Sequence, residues 1–365
     1  MKTIIQGTYS QAIIYAREVD TSSLGFLKAL CSSPASQGLD IKIMPDVHPS
    51  KGSIVGMTAT YTDRVIPGLV GYDIGCGVSA YQIKKFRPEW QALDKVIREE
   101  VPSGMNKRVK PLSSALAFDF STLEAHISIE KAYASLGTLG GGNHFIEVDI
   151  DSNKNKWLVI HSGSRGTGAE IAEYHMNKAF RFCSSLGIPY ELSYLEGDSL
   201  QSYLSDLSLM QTYAQLNRDL IAHVIAKKLK FKIGEVISVS HNYIDLANKM
   251  IHKGSISAQL DSNFLIPLNM RDGILLVRGK GNSEWNCSAP HGSGRLYTRS
   301  EAREKITLNA YRQAMQGVYS PSIGRDTLDE SPQAYKDSSE LLTQLDPTVE
   351  VLDHWKPLYN FKAGN

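Results

Sequence analysis

Residues 71–86 read GYDIGCGVSAYQIKKF, a glycine-punctuated turn running directly into a segment that alternates apolar with polar residues. Alternation with a period of two predicts a half-buried strand over 77–86. Strand-like segments of the same kind recur at 53–61, 156–164, 235–244, 263–270 and 273–281, each alternating or rich in β-branched residues. Helical spacing fits 88–101, 168–186, 199–230 and 300–317. Strands and helices do not alternate regularly, so a doubly wound parallel sheet is not expected. No repeat, low-complexity tract or linker divides the chain. The expectation is an α+β fold, one domain over residues 1–365, with β-sheets packed together and flanked by helices.

Composition narrows the function less than the pattern does. A chain of 365 residues can bury a substantial core, and an apolar fraction of 42% is that of a soluble globular protein. No apolar run approaches the roughly 20 residues of a membrane span, and the N-terminus lacks a basic-then-apolar leader pattern. The four cysteines (Cys31, Cys76, Cys183, Cys287) lie too far apart for a zinc ribbon and are too few for a disulfide framework. A reducing cytoplasm and no membrane partner are therefore expected. With a formal net charge of +1, any polyanion must be held by local basic patches rather than by the overall field.

The turn itself carries chemistry. It sets Asp73 and Cys76 three residues apart, and Gly71, Gly75 and Gly77 allow the loop to fold both side chains toward one point. Four further segments place a histidine beside glycine or asparagine: LGTLGGGNHFIEV with Asn143, His144 and Glu147; HSGSRGTG with His161 and Arg165; SHNYI with His241 and Asn242; APHGSGR with His291 and Arg295. A fifth, MPDVHPSKG, contains Asp46 and His48. All five read as loops at strand ends, where function concentrates. His126, His175, His223 and His354 lack that setting and read as ordinary structural residues.

Asp73, Cys76 and three of the loop histidines supply ligands enough for two ions if one is shared, and a thiolate can bridge. Ligand type alone favours zinc or iron. The glycine loops offer unobstructed backbone N–H groups, with Arg165 and Arg295 close behind as bidentate phosphate donors. A phosphorylated substrate at a paired-metal centre is the chemistry these parts suit. Two ions about 3.5–4 Å apart can clamp the attacking and leaving oxygens of a phosphoryl transfer.

These residues carry a resemblance. MPDVHPSKG, GYDIGCGV, LGTLGGGNHFIE, HSGSRG, HNY, APHGSGR and the C-terminal YNFKAGN occur in family order, and the chain is similar to the RtcB family of RNA-splicing ligases. The resemblance implies two packed β-sheets between helices and a GTP- and manganese-dependent RNA ligase. Its substrates would be a 2′,3′-cyclic phosphate or 3′-phosphate RNA end and a 5′-hydroxyl end, joined in RNA repair or tRNA splicing.

By the same resemblance, one manganese falls to Asp73, Cys76 and His144 and a second to Cys76, His161 and His241. His291 is the nucleophile that carries covalent GMP, oriented by Asp46, and Arg165 binds phosphate. Asn143, His144, Phe145, Ile146, Glu147, His241, Asn242, Pro267, Leu268, Asn269, Met270, Gly292, Ser293, Gly294 and Lys362 fall at guanylate-contacting positions. Two departures stand out. PLNMRDGI (267–274) replaces the family's glycine- and serine-bearing PGSMGxxS, and His252 in IHKGSIS stands where arginine is usual. They imply a compact, divergent paralogue. RNA phosphates are expected on basic clusters, and Arg295, Arg299 and Arg303 are preferred over Lys84, Lys85 and Arg87 or Lys107, Arg108 and Lys110. The competing readings are a metal-dependent phosphoesterase or nucleotidyltransferase without ligation, and an RNA-binding module without catalysis. An activating protein partner is left open.

Overall fold

The turn at 71–76 delivers the chain into the strand Gly77–Lys84, the second of seven strands in the largest sheet. A computed structural model describes residues 2–50, 52–85, 87 and 89–363. Residues 86 and 88, at the ends of an expected strand and an expected helix, lie outside the described residues, as do Lys51 of MPDVHPSKG and the final Gly-Asn of YNFKAGN.

Seven antiparallel strands form this sheet in the order Lys232–Ser240, Gly77–Lys84, Lys156–Ser162, Phe145–Ile150, Val349–Lys362, Ile274–Gly279 and Asn263–Pro267. It curls until its first and last strands touch, close to a barrel. Alternation decides what each face buries. Val78, Ala80, Val159, Leu265, Ile274 and Trp355 fill the concave side. Tyr81, Leu158, Ile160, Ile146 and Val148 point outward, under Leu93 and Ile97 of the helix Trp90–Glu100 and Ile221 and Ile225 of the helix Gly197–Leu229.

A second sheet runs Thr3–Gln6, Gln11–Ile14, Ile41–Ser50, Ser53–Thr60, Met250–Lys253 and Asn242–Asp245. The helix Thr21–Cys31, capped by the Asp20 carboxylate on the Ser23 N–H, packs Leu27 and Leu30 into the core that this sheet builds from Ala12, Ile41, Ile43 and Met57. The expected α+β class and helix-flanked sheets are present, with two additional two-stranded ribbons.

Three local expectations change. The strand expected over 235–244 is two strands in different sheets, and His241 is the single residue between them. The helix expected over 300–317 is Arg299–Lys305 followed by Leu308–Ala314, because Thr307 caps a new helix through the Ala310 N–H. MPDVHPSKG is not a loop: Met44 to Ser50 belong to the strand Ile41–Ser50. Its pairing with Ser53–Thr60 jumps from Ile43–Met57 to His48–Val55, so residues 44–47 bulge opposite Gly56. A bulge relieves the missing N–H of Pro45 and re-aims the side chains it carries.

The helix Gly197–Leu229 buries a cation in its middle. Arg218 is fully buried and donates to Ser79 Oγ (2.8 Å), the Gly75 carbonyl (3.0 Å), the Ser162 carbonyl (2.9 Å) and Gln215 Oε1 (2.8 Å). It thereby ties the 71–76 turn to the end of the strand bearing His161. Arg218→Met is expected to lower stability by about 3 kcal/mol or more, because buried acceptors lose charged donors. Thermal unfolding would read this. A Tm equal to that of the parent would show that the fork holds nothing.

Candidate active site

Six elements converge where the two sheets join. Cys76 and Asp73 come from the turn, braced by the Cys76 N–H on the Asp73 carbonyl (3.2 Å), the His241 N–H on the Cys76 carbonyl (2.9 Å) and the Gly75 N–H on the Asn242 carbonyl (2.7 Å). His144 precedes the strand Phe145–Ile150, His161 lies on Lys156–Ser162, and His241 occupies the crossover. Cys76 Sγ is 3.4 Å from His144 Nε2 and 3.3 Å from His161 Nε2. His161 Nε2 is 3.0 Å from His241 Nε2, and His144 Nε2 is 3.3 Å from Asp73 Oδ2. Two ligand sets result, Asp73–Cys76–His144 and Cys76–His161–His241, with the sulfur common to both.

Three imidazole Nε2 atoms, a sulfur and a carboxylate oxygen within one cluster are lone-pair donors facing each other, an arrangement that suits cations. His161 Nδ1 donates to the Asn143 carbonyl (3.2 Å), which leaves its Nε2 unprotonated when the ring is neutral. Burial drives the pKa values of His161 and His241 well below the ordinary imidazole range; His144, Lys362 and His291 add to this at His161, and His291 and His161 at His241. Both rings are therefore ready as neutral ligands. Burial raises the Cys76 thiol, and the Asp73 charge raises it further; a bound cation would reverse that by favouring thiolate. Burial alone would raise Asp73, but the His144 hydrogen bond and charge outweigh it and hold the carboxyl below its usual range. The backbone leaves room for this packing. A Cβ on Gly163 would lie 2.2 Å from Asp73 Oδ1, and one on Gly140 would lie 2.6 Å from His144 Nδ1 and 2.1 Å from Arg165 Nη1.

His291 stands beside this cluster, its ring 4.8 Å from that of His241 and tilted 18°. Its Nδ1 is 2.6 Å from Asp46 Oδ2, and its backbone N–H donates to the same oxygen at 3.1 Å. Asp46 is fully buried, and Gly294 (φ 70°) lets the 291–295 turn close on it, since a Cβ there would sit 2.9 Å from the Asp46 carbonyl oxygen.

A cavity of about 730 Å³ opens from His291. Asn143, Phe145, Glu147, Pro267, Leu268, Asn269, Met270, Gly292, Ser293, Gly294 and Lys362 line it. Ile146 does not: it is buried on the opposite face of its strand. Asn242 is occupied by the Gly254 N–H (3.0 Å) and the Asp73 carbonyl (3.4 Å). Arg165 (φ 59°) is bonded to Thr138 Oγ1 (3.2 Å) and the Gly104 carbonyl (2.8 Å), beside the Asp73 charge. In the divergent PLNMRDGI stretch, Asn269 is a turn-former, accepting the N–H groups of Arg271 and Asp272 at 3.0 Å each.

The basic clusters differ from expectation. Arg299 reaches Asp329 Oδ2 (2.6 Å) and Glu330 Oε1 (2.7 Å), Arg303 reaches Asp329 Oδ1 (3.1 Å) and Arg295 reaches Glu330 Oε1 (3.2 Å). These arginines already face buried carboxylates, while the side chains of Arg299 and Arg303 stay exposed. Burial would raise Glu330, but Lys362, Arg299 and Arg295 hold it down to about 2. Lys362 itself is paired with Glu330. Arg108 spends its guanidinium on the carbonyls of Glu100 (2.8 Å), Gly137 (2.7 Å) and Leu136 (3.2 Å).

Sequence reasoning missed three residues. Arg218 braces the ligand turn. Glu330 neutralises Lys362. Lys253, next to the singled-out His252, is buried with its Nζ on the Val70 carbonyl (2.7 Å); burial pulls it down to about 8, against the attraction of Asp73 and Cys76. Its position beside glycine in HKGS was the available signal.

Behind Glu147, on the same face of the strand, Asp149 is fully buried; no N–H or hydroxyl among the described residues reaches its oxygens, and its carboxyl is hydrogen-bonded to that of Glu147. Burial, then the Glu147 charge, raise Asp149 well above its ordinary value; burial lifts Glu147 to about 7 despite Asn360 (2.6 Å) and Lys362. A raised carboxyl stabilises the fold fully only below its unfolded pKa, and that contribution is lost as pH rises, by about 1.4 kcal/mol per unit until the folded value is passed. Asp149→Asn is therefore expected to raise Tm, more at pH 8 than at pH 5. Equal shifts at both pH values would contradict a carboxyl held protonated by burial here.

Comparison with known proteins supplies independent information. The family model described as tRNA-splicing ligase RtcB matches residues 36–127 and 119–363. The chain is 30% identical over 359 residues to an RNA-splicing ligase RtcB of Escherichia coli (strain K12), covering 86% of this chain and 87% of that one. It is 27% identical over 394 residues to a tRNA-splicing ligase RtcB of Aeropyrum pernix (81% and 82% covered) and 26% identical over 393 residues to one of Methanococcus maripaludis (80% and 81%).

Proposed function

The chain belongs to the tRNA-splicing ligase RtcB family, and from that premise we propose that it is an RNA ligase, acting over residues 1–365 as one unit in the cytoplasm. It joins a 2′,3′-cyclic phosphate or 3′-phosphate RNA end to a 5′-hydroxyl end at the expense of GTP. The observation that carries this reading is His291: its Nδ1 is held by a buried carboxylate and its ring is stacked on a ligand of the paired-cation cluster.

The Asp46 carboxylate fixes the Nδ1–H tautomer of His291 and leaves the Nε2 lone pair free to attack. Nε2 bonds to the α-phosphorus of GTP and pyrophosphate leaves. The opened 3′-phosphate of the RNA then takes the guanylate from His291, and the 5′-hydroxyl of the second RNA displaces GMP to form the phosphodiester. Manganese held by Asp73, Cys76 and His144, and by Cys76, His161 and His241, would supply Lewis-acid charge at the phosphate oxygens. Arg165, beside Asp73 and with Nη1 unpartnered among the described residues, is suited to a phosphate. Asn143, Phe145, Glu147 and Lys362 would receive the guanylate in the cavity.

The test is direct. RNA ends bearing a 2′,3′-cyclic phosphate and a 5′-hydroxyl, supplied with GTP and manganese, should yield joined product. Opening of the cyclic phosphate without joining, at every nucleotide tried, would instead make the protein a phosphoesterase.

A further inference from the structure

The strand bulge at 44–47 presents two imidazoles, and the ligation scheme uses only one. Asp46 holds both. Its carboxylate takes His291 Nδ1 at 2.6 Å, and its backbone carbonyl oxygen lies 2.9 Å from His48 Nδ1. A carbonyl can only accept, so His48 Nδ1 carries the hydrogen and Nε2 carries the lone pair. That Nε2 has no hydrogen-bond partner among the described residues. The His48 ring is near-parallel to His291, with centroids 6.5 Å apart and planes tilted 22°, and both residues line the same cavity.

The placement is enforced by the backbone. The bulge seats residues 46 and 47 against Gly56 (φ 89°), where a Cβ would come within 2.9 Å of the Val47 backbone and 3.0 Å of Asp46 Oδ1. Regular pairing resumes at His48 itself. Burial pushes the ring down to about 4, and His291 and Arg295 add to this against Asp46, so His48 is an unprotonated base at neutral pH.

Resting on the ligase reading, we propose that His48 is the general base of the joining step. Its Nε2 accepts the proton of the RNA 5′-hydroxyl as that oxygen bonds to the activated 3′-phosphorus and the bond to the leaving GMP breaks. The phosphates gathered there offset the charge of the imidazolium, which then returns the proton to water. His291 keeps its separate task of carrying guanylate, for which His48 is not required.

The experiment separates the steps. RNA with a preformed guanylylated 3′-phosphate end is offered with a 5′-hydroxyl partner, and uptake of α-labelled GTP by the protein is measured in parallel. His48→Asn keeps a donor for the Asp46 carbonyl but has no base. It should still take up label, while joining of the pre-activated end falls by about a hundredfold or more. In His48→Ala, added imidazole should restore part of the joining rate. Wild-type joining of pre-activated ends by His48→Asn would overturn the proposal, as would equal loss of label and joining in both variants. Because this assay starts from an activated end, it reads His48 even if the wild-type protein takes up no label, an outcome that would sink the ligase reading alone.

Discussion

His291→Ala is expected to abolish RNA joining and uptake of labelled guanylate together, by more than about four orders of magnitude, since no other imidazole could take over covalent catalysis at that position. His241 and His161 have their Nε2 atoms turned into the cation cluster, and His48 sits 6.5 Å away, ring to ring. Asp46→Asn makes a graded companion. It preserves shape but faces His291 with a neutral amide whose NH2 can donate to Nδ1 and hold the wrong tautomer, and without the negative charge the rate should fall by about 10²–10⁴. The two variants should also differ in stability. His291→Ala leaves the buried Asp46 carboxylate without its imidazole partner, at a cost of about 1–3 kcal/mol, whereas Asp46→Asn removes the buried charge as well. Joining retained in His291→Ala would rule out a histidine-bound intermediate at this site.

The second large effect belongs to Cys76. Because its sulfur lies in both ligand sets, Cys76→Ala should remove both cations at once, and activity with them. Loss of His144 alone should spare the Cys76–His161–His241 set. Metal content after dialysis against limiting manganese would read the difference. A Cys76→Ala protein holding as much metal as the wild type would show that the thiol is a buried apolar residue and no bridge. Chelation followed by re-addition of manganese should restore activity in the wild type, and the neutral state that burial imposes on His161 and His241 favours reloading at neutral pH.

The parts of the site legible in the sequence were those carried by short glycine-bounded motifs. Asp73 and Cys76 share one turn, and His144, His161 and His291 each lie within two residues of a glycine. Tight backbone approach leaves that mark in composition. What stayed hidden depends on long-range contact. Arg218 lies within a helix of 33 residues, and only the fold reveals that it faces Gly75 and Ser162. Asp329 and Glu330 sit in a short 3₁₀ segment with no periodic signal, so the arginines after the catalytic loop passed for free cations. His241 shows why strand boundaries fail. Its β-branched flanks read as one strand, and nothing local indicates that the chain changes sheets there. MPDVHPSKG misled in the opposite direction, because two prolines suggest a loop, whereas a bulge accommodates Pro45 and Pro49 sits opposite Ile54 within the strand.

The most direct measurement is the mass and position of the adduct formed when the protein meets GTP and manganese without RNA. One guanylate on the peptide containing His291, absent after chelation and absent in Cys76→Ala, is the expected result. An adduct on any other residue, or joined RNA from a protein that never carries guanylate, would contradict the account.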